Sequence, residues 1–433
     1  HLVSPKLPTV LGHRATVDLA GYDLYLLYVD NVHVLPGKID LDRFKNALSN
    51  TLQLYPHVAG QLRCQDGCWF IELTNTPVPV DVSYVKEKDS GSVLQDDWVI
   101  QEDVSPLMDH QPVDADPING TAPLIRFKLT FFVEETCIGM SWHHAVADAT
   151  GHFHFTHTLS QFYQNKLPKF GTPTFRKYIF PPPSEAIAAE YPSKIRQLHN
   201  AYPFAQVGAK YAEANKGSEH LQWRFTGEEL RRLQAITNSS ERQTLTFQDC
   251  LTAYLVTVLN HCREKPIRIV TNVVSYRKVI APFVDENVVG NATLVVATEQ
   301  LPSDMVGIAT AVRTSIIRSR DARELENCLS TASDCMLTAA NSGKAFCFAP
   351  PDGVMGVNSN SRIDWCSAHF GFPDGSKFHT IGVFNGFVRP FISNPVKGVD
   401  GIWHSRQDSI DVSMGVPKES KARILDILAR GFE

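Results

Sequence analysis

No stretch of this 433-residue chain runs to the roughly 20 consecutive apolar residues that a membrane-spanning helix needs. Positive charge is not in excess either. The 41 lysines and arginines face 46 aspartates and glutamates, a net charge of −5, so the footprint of a nucleic-acid binder is missing. Cysteine is scattered: Cys64, Cys68, Cys137, Cys250, Cys262, Cys328, Cys335, Cys347 and Cys366 are odd in number and follow no framework spacing. Reduced thiols are expected rather than a disulfide scaffold. Cys64 and Cys68 lack a second pair at zinc-finger spacing, so no metal is expected there. No internal repeat marks a solenoid, and no glycine-rich phosphate loop is present. His1 to Val10 carries neither the basic nor the apolar part of a secretory signal, so a cytoplasmic protein is expected, without a membrane span and as a monomer.

What remains is an ordinary globular balance, 43% hydrophobic and 20% charged, in a chain long enough for two cores. Leu41, Phe44, Leu48 and Leu52 recur on one face of a 3.6-residue period, predicting a helix over 40–54 that Tyr55-Pro56 ends. Strands are predicted over 68–73, 78–85, 124–132 and 136–142, followed by a helix over 151–163. The stretch 168–216 is rich in proline and reads as a crossover, extended in part. Beyond it, helices are predicted over 226–236, 246–262, 306–319 and 421–430. Later strands fall at 267–274, 292–298, 381–388, 401–403 and 409–415. Mixed helices and strands in two halves give a mixed α/β class, with domains 1–180 and 217–433 around a crossover 181–216. A late segment near 355–395 is expected to pack with the first domain.

The chemistry concentrates in Ser141-Trp142-His143-His144-Ala145-Val146-Ala147-Asp148. A strand ends in two histidines, small residues turn the chain, and an acid follows four positions after His144. Histidine titrates near neutral pH, so it can take the proton of a hydroxyl as that oxygen attacks a carbonyl. Asp148 can fix the turn and cap the next helix without touching the ring. His152, His154 and His157 follow, but no acid joins them at ligand spacing, and no metal site is expected.

His144-Ala145-Val146-Ala147-Asp148 matches the HxxxD motif of the BAHD acyltransferases, and the chain resembles that family over most of its length. Ile39 to Arg63 resembles the family's early helix and its YPLAGRL signature. Phe247 to Arg263 resembles its LTA helix. Val273 to Ala292, with Arg277, Pro282 and Gly290-Asn291-Ala292, resembles the basic strand leading to GNA, and Asn394 to Val416 the closing strands. The DFGWG signature is eroded to His369-Phe370-Gly371-Phe372-Pro373: Phe370 and Gly371 match and the other three do not. That erosion suggests a divergent, fungal branch.

The resemblance implies two chloramphenicol-acetyltransferase-like domains with a channel between them, into which acyl-CoA and a small-molecule alcohol or amine enter from opposite faces. His144 would be the general base, and Asp148 an orienting residue paired bidentately with Arg277. The oxyanion donor would be Asn360 or its rival Trp365. Phe370 and Gly371 would support structure. Arg277, Lys278 and the start of the 306–319 helix are expected near the coenzyme. Acyl-CoA is a co-substrate, and no permanent cofactor is implied. His143-His144…Asp148 also resembles peptide-synthetase condensation domains, but Ala149 stands where those carry glycine and no carrier domain is attached. A catalytically silent binding protein is the remaining alternative.

Overall fold

The computed structural model describes residues 1–9, 15–94, 96–111, 117–175, 177–191, 195, 198, 200–238, 244–285, 287–382 and 384–432. Two large sheets organise it. The first has seven strands in the order Leu2–Val3, Val78–Tyr84, Ile125–Phe131, Thr136–His143, Tyr28–Leu35, Lys377–Ile381, Ile100–Gln101. The second has six, in the order Ser218–Phe225, Ile410–Pro417, Phe387–Ile392, Val354–Val357, Ile269–Ser275, Thr293–Thr298. This is the mixed α/β class with two sheet-rich bodies that the sequence predicts.

Helix Leu41–Leu54 begins where Asp40 accepts a hydrogen bond from the Arg43 amide at 2.7 Å, and it buries Phe44, Ala47, Leu48 and Leu52. It packs on helix Ala149–Tyr163 over the first sheet, in one core with Phe127, Leu129, Ile138 and Met140. The hairpin of Ile125–Phe131 and Thr136–His143 is sealed on both faces of its second strand. The second core gathers helices Gly227–Thr237, Phe247–Asn260, Met305–Arg318 and Lys421–Arg430 on the other sheet.

Several elements differ from the sequence reading. The single strand expected over 381–388 is two, Lys377–Ile381 and Phe387–Ile392, because Gly382 and Gly386 turn the chain at φ of 79° and 71°; Val383 lies outside the described residues. The first piece joins the seven-stranded sheet antiparallel to Tyr28–Leu35, while the second pairs in the six-stranded sheet. The crossover contains two helices, Glu185–Glu190 and Phe204–Ala214. Helix Ala322–Asn341, capped by Asp321 on the Arg323 and Glu324 amides, has no counterpart in the sequence reading. Its buried face mixes Leu325, Leu329 and Met336 with Ser330, Thr331, Ser333 and Ala340, which weakens the apolar periodicity.

Candidate active site

Strand Thr136–His143 ends at the two histidines, and every residue from Thr136 to Asp148 is buried except His144, which keeps accessible surface. The turn is shaped locally. His143 accepts a hydrogen bond on Nδ1 from the Ala145 amide at 3.2 Å, and the His144 amide donates to the Leu27 carbonyl at 2.8 Å. His143 thus spends its ring on the turn, whereas the His144 ring lies between Tyr25, 4.9 Å away, and Trp142, 5.3 Å away. Burial lowers the His144 pKa below the ordinary histidine value, and Asp148 and Asn291 offset part of that shift. A neutral imidazole with an open surface is able to accept a proton.

Asp148 points away from the ring. It caps helix Ala149–Tyr163 through the Gly151 amide at 2.9 Å, and its other oxygen accepts from the Ala292 amide at 2.9 Å and from Arg277 Nη1 at 2.6 Å. Burial alone would raise its pKa, but Arg277 and the two amides hold it below the ordinary carboxylate value. The expected bidentate pairing does not occur. Arg277 gives Asp148 one nitrogen, and Nε and Nη2 go instead to the Val288 and Gly290 carbonyls. A buried guanidinium spent in this way offers no charge to a phosphate, which corrects the coenzyme-binding expectation for Arg277. Its neighbour Lys278 is exposed, at a positive φ of 71°.

A second buried ion pair grips the same loop. Lys177 donates to Asp23 and, at 2.9 Å, to the Asn291 carbonyl, while the Asn291 amide donates to Asp23 at 3.1 Å. Burial would lower the Lys177 pKa, but Asp23 raises it above the ordinary lysine value. Gly290 sits at φ 96°, and a Cβ there would come 3.0 Å from Lys177 Nζ. Between the pairs, the Asn291 side chain donates to the His144 carbonyl at 2.9 Å.

The sequence profile of the Transferase family matches residues 14–386. Vinorine synthase superposes with a TM-score of 0.66 at 15% identity, over 99% of this chain and 96% of that one. TRI101 of F. graminearum, solved with coenzyme A and T-2 mycotoxin, superposes with a TM-score of 0.68 at 14% identity, over 96% of this chain and 97% of that one. The X-domain from teicoplanin biosynthesis follows at 0.56 and 12%, over 98% and 95%. No curated protein sequence matches. The chain belongs to this transferase family, of the BAHD type.

In this BAHD-type transferase the eroded signature is a packing element. Phe370, at φ 49° and almost fully buried, stacks on Phe44 at 6.2 Å and meets Tyr163 at 5.8 Å, and its amide donates to Ser160 at 2.9 Å. Gly371 follows at φ 101°. His369, which replaces the signature's aspartate, accepts from the Gly371 amide on Nδ1 at 3.1 Å, supplying the turn with the acceptor a carboxylate would give.

Asn360 and Trp365 are both buried. The Asn360 side chain faces the Asn358 carbonyl at 3.5 Å, and its amide donates to the Pro390 carbonyl. Trp365 stacks on Phe378 at 4.4 Å and lies 6.0 Å from His152, with its indole N–H unpartnered. Among the described residues no hydrogen bond or ring contact joins either of them to His144. The later histidines disperse: His152 stacks on Trp142, His154 on Phe170, and His157 pairs with Gln161.

Sequence reasoning missed Tyr25, Asp23 and Lys177. Tyr25 also lines a cavity of about 30 Å³ with Leu294, Leu329 and Met336. A signal for Asp23 was present, since a lone acid in the apolar run Leu19 to Leu27 is a candidate buried charge. Its partner lies 154 residues away, beyond any local pattern.

Proposed function

We propose that the protein moves an acyl group from acyl-CoA to a hydroxyl or amine of a small-molecule secondary metabolite. The observation that carries this reading is His144, half-buried at the end of a sealed strand where every neighbour from Thr136 to Asp148 is buried, with its pKa lowered by burial so that the ring is neutral. His144 takes the acceptor proton, and the acceptor oxygen or nitrogen attacks the thioester carbonyl. The tetrahedral oxyanion then collapses, and the departing coenzyme A thiolate recovers the proton from the imidazolium. Direct attack needs no acyl-enzyme, because the site holds both reactants together. TRI101, whose structure contains coenzyme A and T-2 mycotoxin, supports the substrate classes.

Asp148 and Arg277 orient the turn in this reading. Asn360 is our candidate oxyanion donor and Trp365 its rival, a role that amide and ring N–H groups can fill. Lys278, exposed beside the basic strand, is the candidate coenzyme contact. We place the domains at 1–180 and 217–433, with 181–216 as crossover. Free acyl-CoA is preferred to a carrier-bound thioester because Ala149 follows Asp148.

The test is His144→Ala, assayed by mass spectrometry of products from a panel of acyl-CoAs and alcohols. Turnover is expected to fall by about 10² to 10⁴-fold with the fold intact. Near-full activity would remove the mechanism. A wild-type chain that neither binds coenzyme A nor makes product would leave the silent-protein reading.

A further inference from the structure

The buried and half-buried cations near the joint between the two sheets include several with carboxylate partners: Arg277 has Asp148, Lys177 has Asp23, and the half-buried Arg224 has Asp411 and Asp97. Arg389 differs. Among the described residues no carboxylate pairs with it. The residue is half-buried: its Nη1 donates to the Ile381 and Gly382 carbonyls at 3.0 and 2.9 Å, and among the described residues its buried Nε has no partner and no hydrogen bond engages Nη2. The Nε–Nη2 edge is the one that grips a carboxylate or phosphate side-on.

Strand alternation sets the direction. Val388 sits in the second core, so Arg389 and Phe391 face the other way. Phe391 joins a cluster with Ile100, Trp365 and Phe378, which come from segments flanking or lying within the first sheet. The guanidinium lies over the Phe391 ring at 5.0 Å, which fixes its plane. Ser413 stands opposite Arg389 in register, and His220 pairs with the Ser413 hydroxyl. Burial leaves the Arg389 pKa at about 10, so the group stays charged at neutral pH.

We propose that Arg389, flanked by His220 and Ser413, anchors an anionic oxygen group, carboxylate or phosphate, carried by one of the two substrates. The proposal rests on the transferase reading above. A relay of rings, Phe391, Phe378, Trp365, His152 and Trp142, separates it from His144. Arg389 therefore holds a distant part of a substrate, and its loss acts on KM more than on kcat.

The test is calorimetric titration with two probe pairs: coenzyme A against pantetheine, and 4-hydroxyphenylacetic acid against its methyl ester. In wild type the anionic member of one pair is expected to bind at least about tenfold more tightly, the scale of one charged hydrogen bond. Arg389→Gln abolishes that preference, and Arg389→Lys keeps part of it as a point charge. Loss with coenzyme A puts the anion on the donor, and loss with the acid puts it on the acceptor. If Arg389→Gln does not fold by circular dichroism, the lysine variant carries the comparison through its reduced preference. Equal affinities within both pairs, or a preference unchanged in the variants, overturn the anchor. An intact acid-over-ester preference with no binding of coenzyme A or pantetheine would overturn the transfer reading and leave the anchor standing.

Discussion

The side-chain amide of Asn291 hydrogen-bonds the backbone carbonyl of His144 at 2.9 Å, tying the candidate base to a loop 147 residues further along the chain. That loop is itself clamped from both sides, by Asp148–Arg277 and by Asp23–Lys177. The position of the imidazole therefore depends on four residues that need not meet either substrate.

Asn291→Ala removes the clamp on His144 and leaves its carbonyl without that donor. We expect turnover to fall by about 10²-fold, because a small displacement of a reacting group is costly. Steady-state kinetics with a product assay check it. An unchanged kcat would show that the turn holds itself.

The two ion pairs should couple. Asp148→Asn and Lys177→Met each strand a buried partner, and each is expected to lower stability by about 3–5 kcal/mol. The double variant should lose less than the sum, since both pairs grip Gly290-Asn291-Ala292. Chemical denaturation of the four proteins measures this, and strict additivity would sever the two clamps.

Gly290→Ala puts a methyl group on a residue at φ 96°, 3.0 Å from Lys177 Nζ. Backbone strain of about 1–3 kcal/mol is expected, together with a displaced ammonium. A lowered Tm with reduced activity is the expected result, and a neutral substitution would show that the loop relaxes freely.

Acid should act twice. Because the His144 pKa is depressed, the acid limb of the kcat/KM profile should lie below the ordinary histidine value of about 6.5. Stability should fall in a related range. Burial pushes His33 and His57 down to about 4, and His143 and His379 to about 3. Below about pH 6.5 the unfolded chain takes up protons on these residues that the folded chain refuses. Stability is thus complete above that pH and declines as pH falls toward the folded values, by up to about 1.4 kcal/mol per histidine per unit. Denaturant titrations at about pH 7 and about pH 5 test the sign.

Much of the first body was legible because its signals are local. The Leu41 to Leu52 stripe, the hairpin running into His143 and the acid after His144 are patterns within a few residues. The strand Tyr28–Leu35 was not legible. It is central in its sheet, and its buried Asn31 and His33 break the apolar run that a strand enclosed on both faces usually shows. Helix Ala322–Asn341 hid its face behind serine and alanine. Arg277 was found through resemblance, but its single contact with Asp148 depends on carbonyls at Val288 and Gly290 that no side-chain pattern encodes.

The strand Lys377–Ile381 lies in one sheet while Val354–Val357 and Phe387–Ile392, on either side of it in the chain, lie in the other. The polypeptide is thus laced through both bodies like a stitch. A protease that cut the proline-rich connection after Tyr178 would leave two fragments still sewn together, and neither half could be exchanged for that of a cousin by a single crossover there without tearing a strand from its sheet.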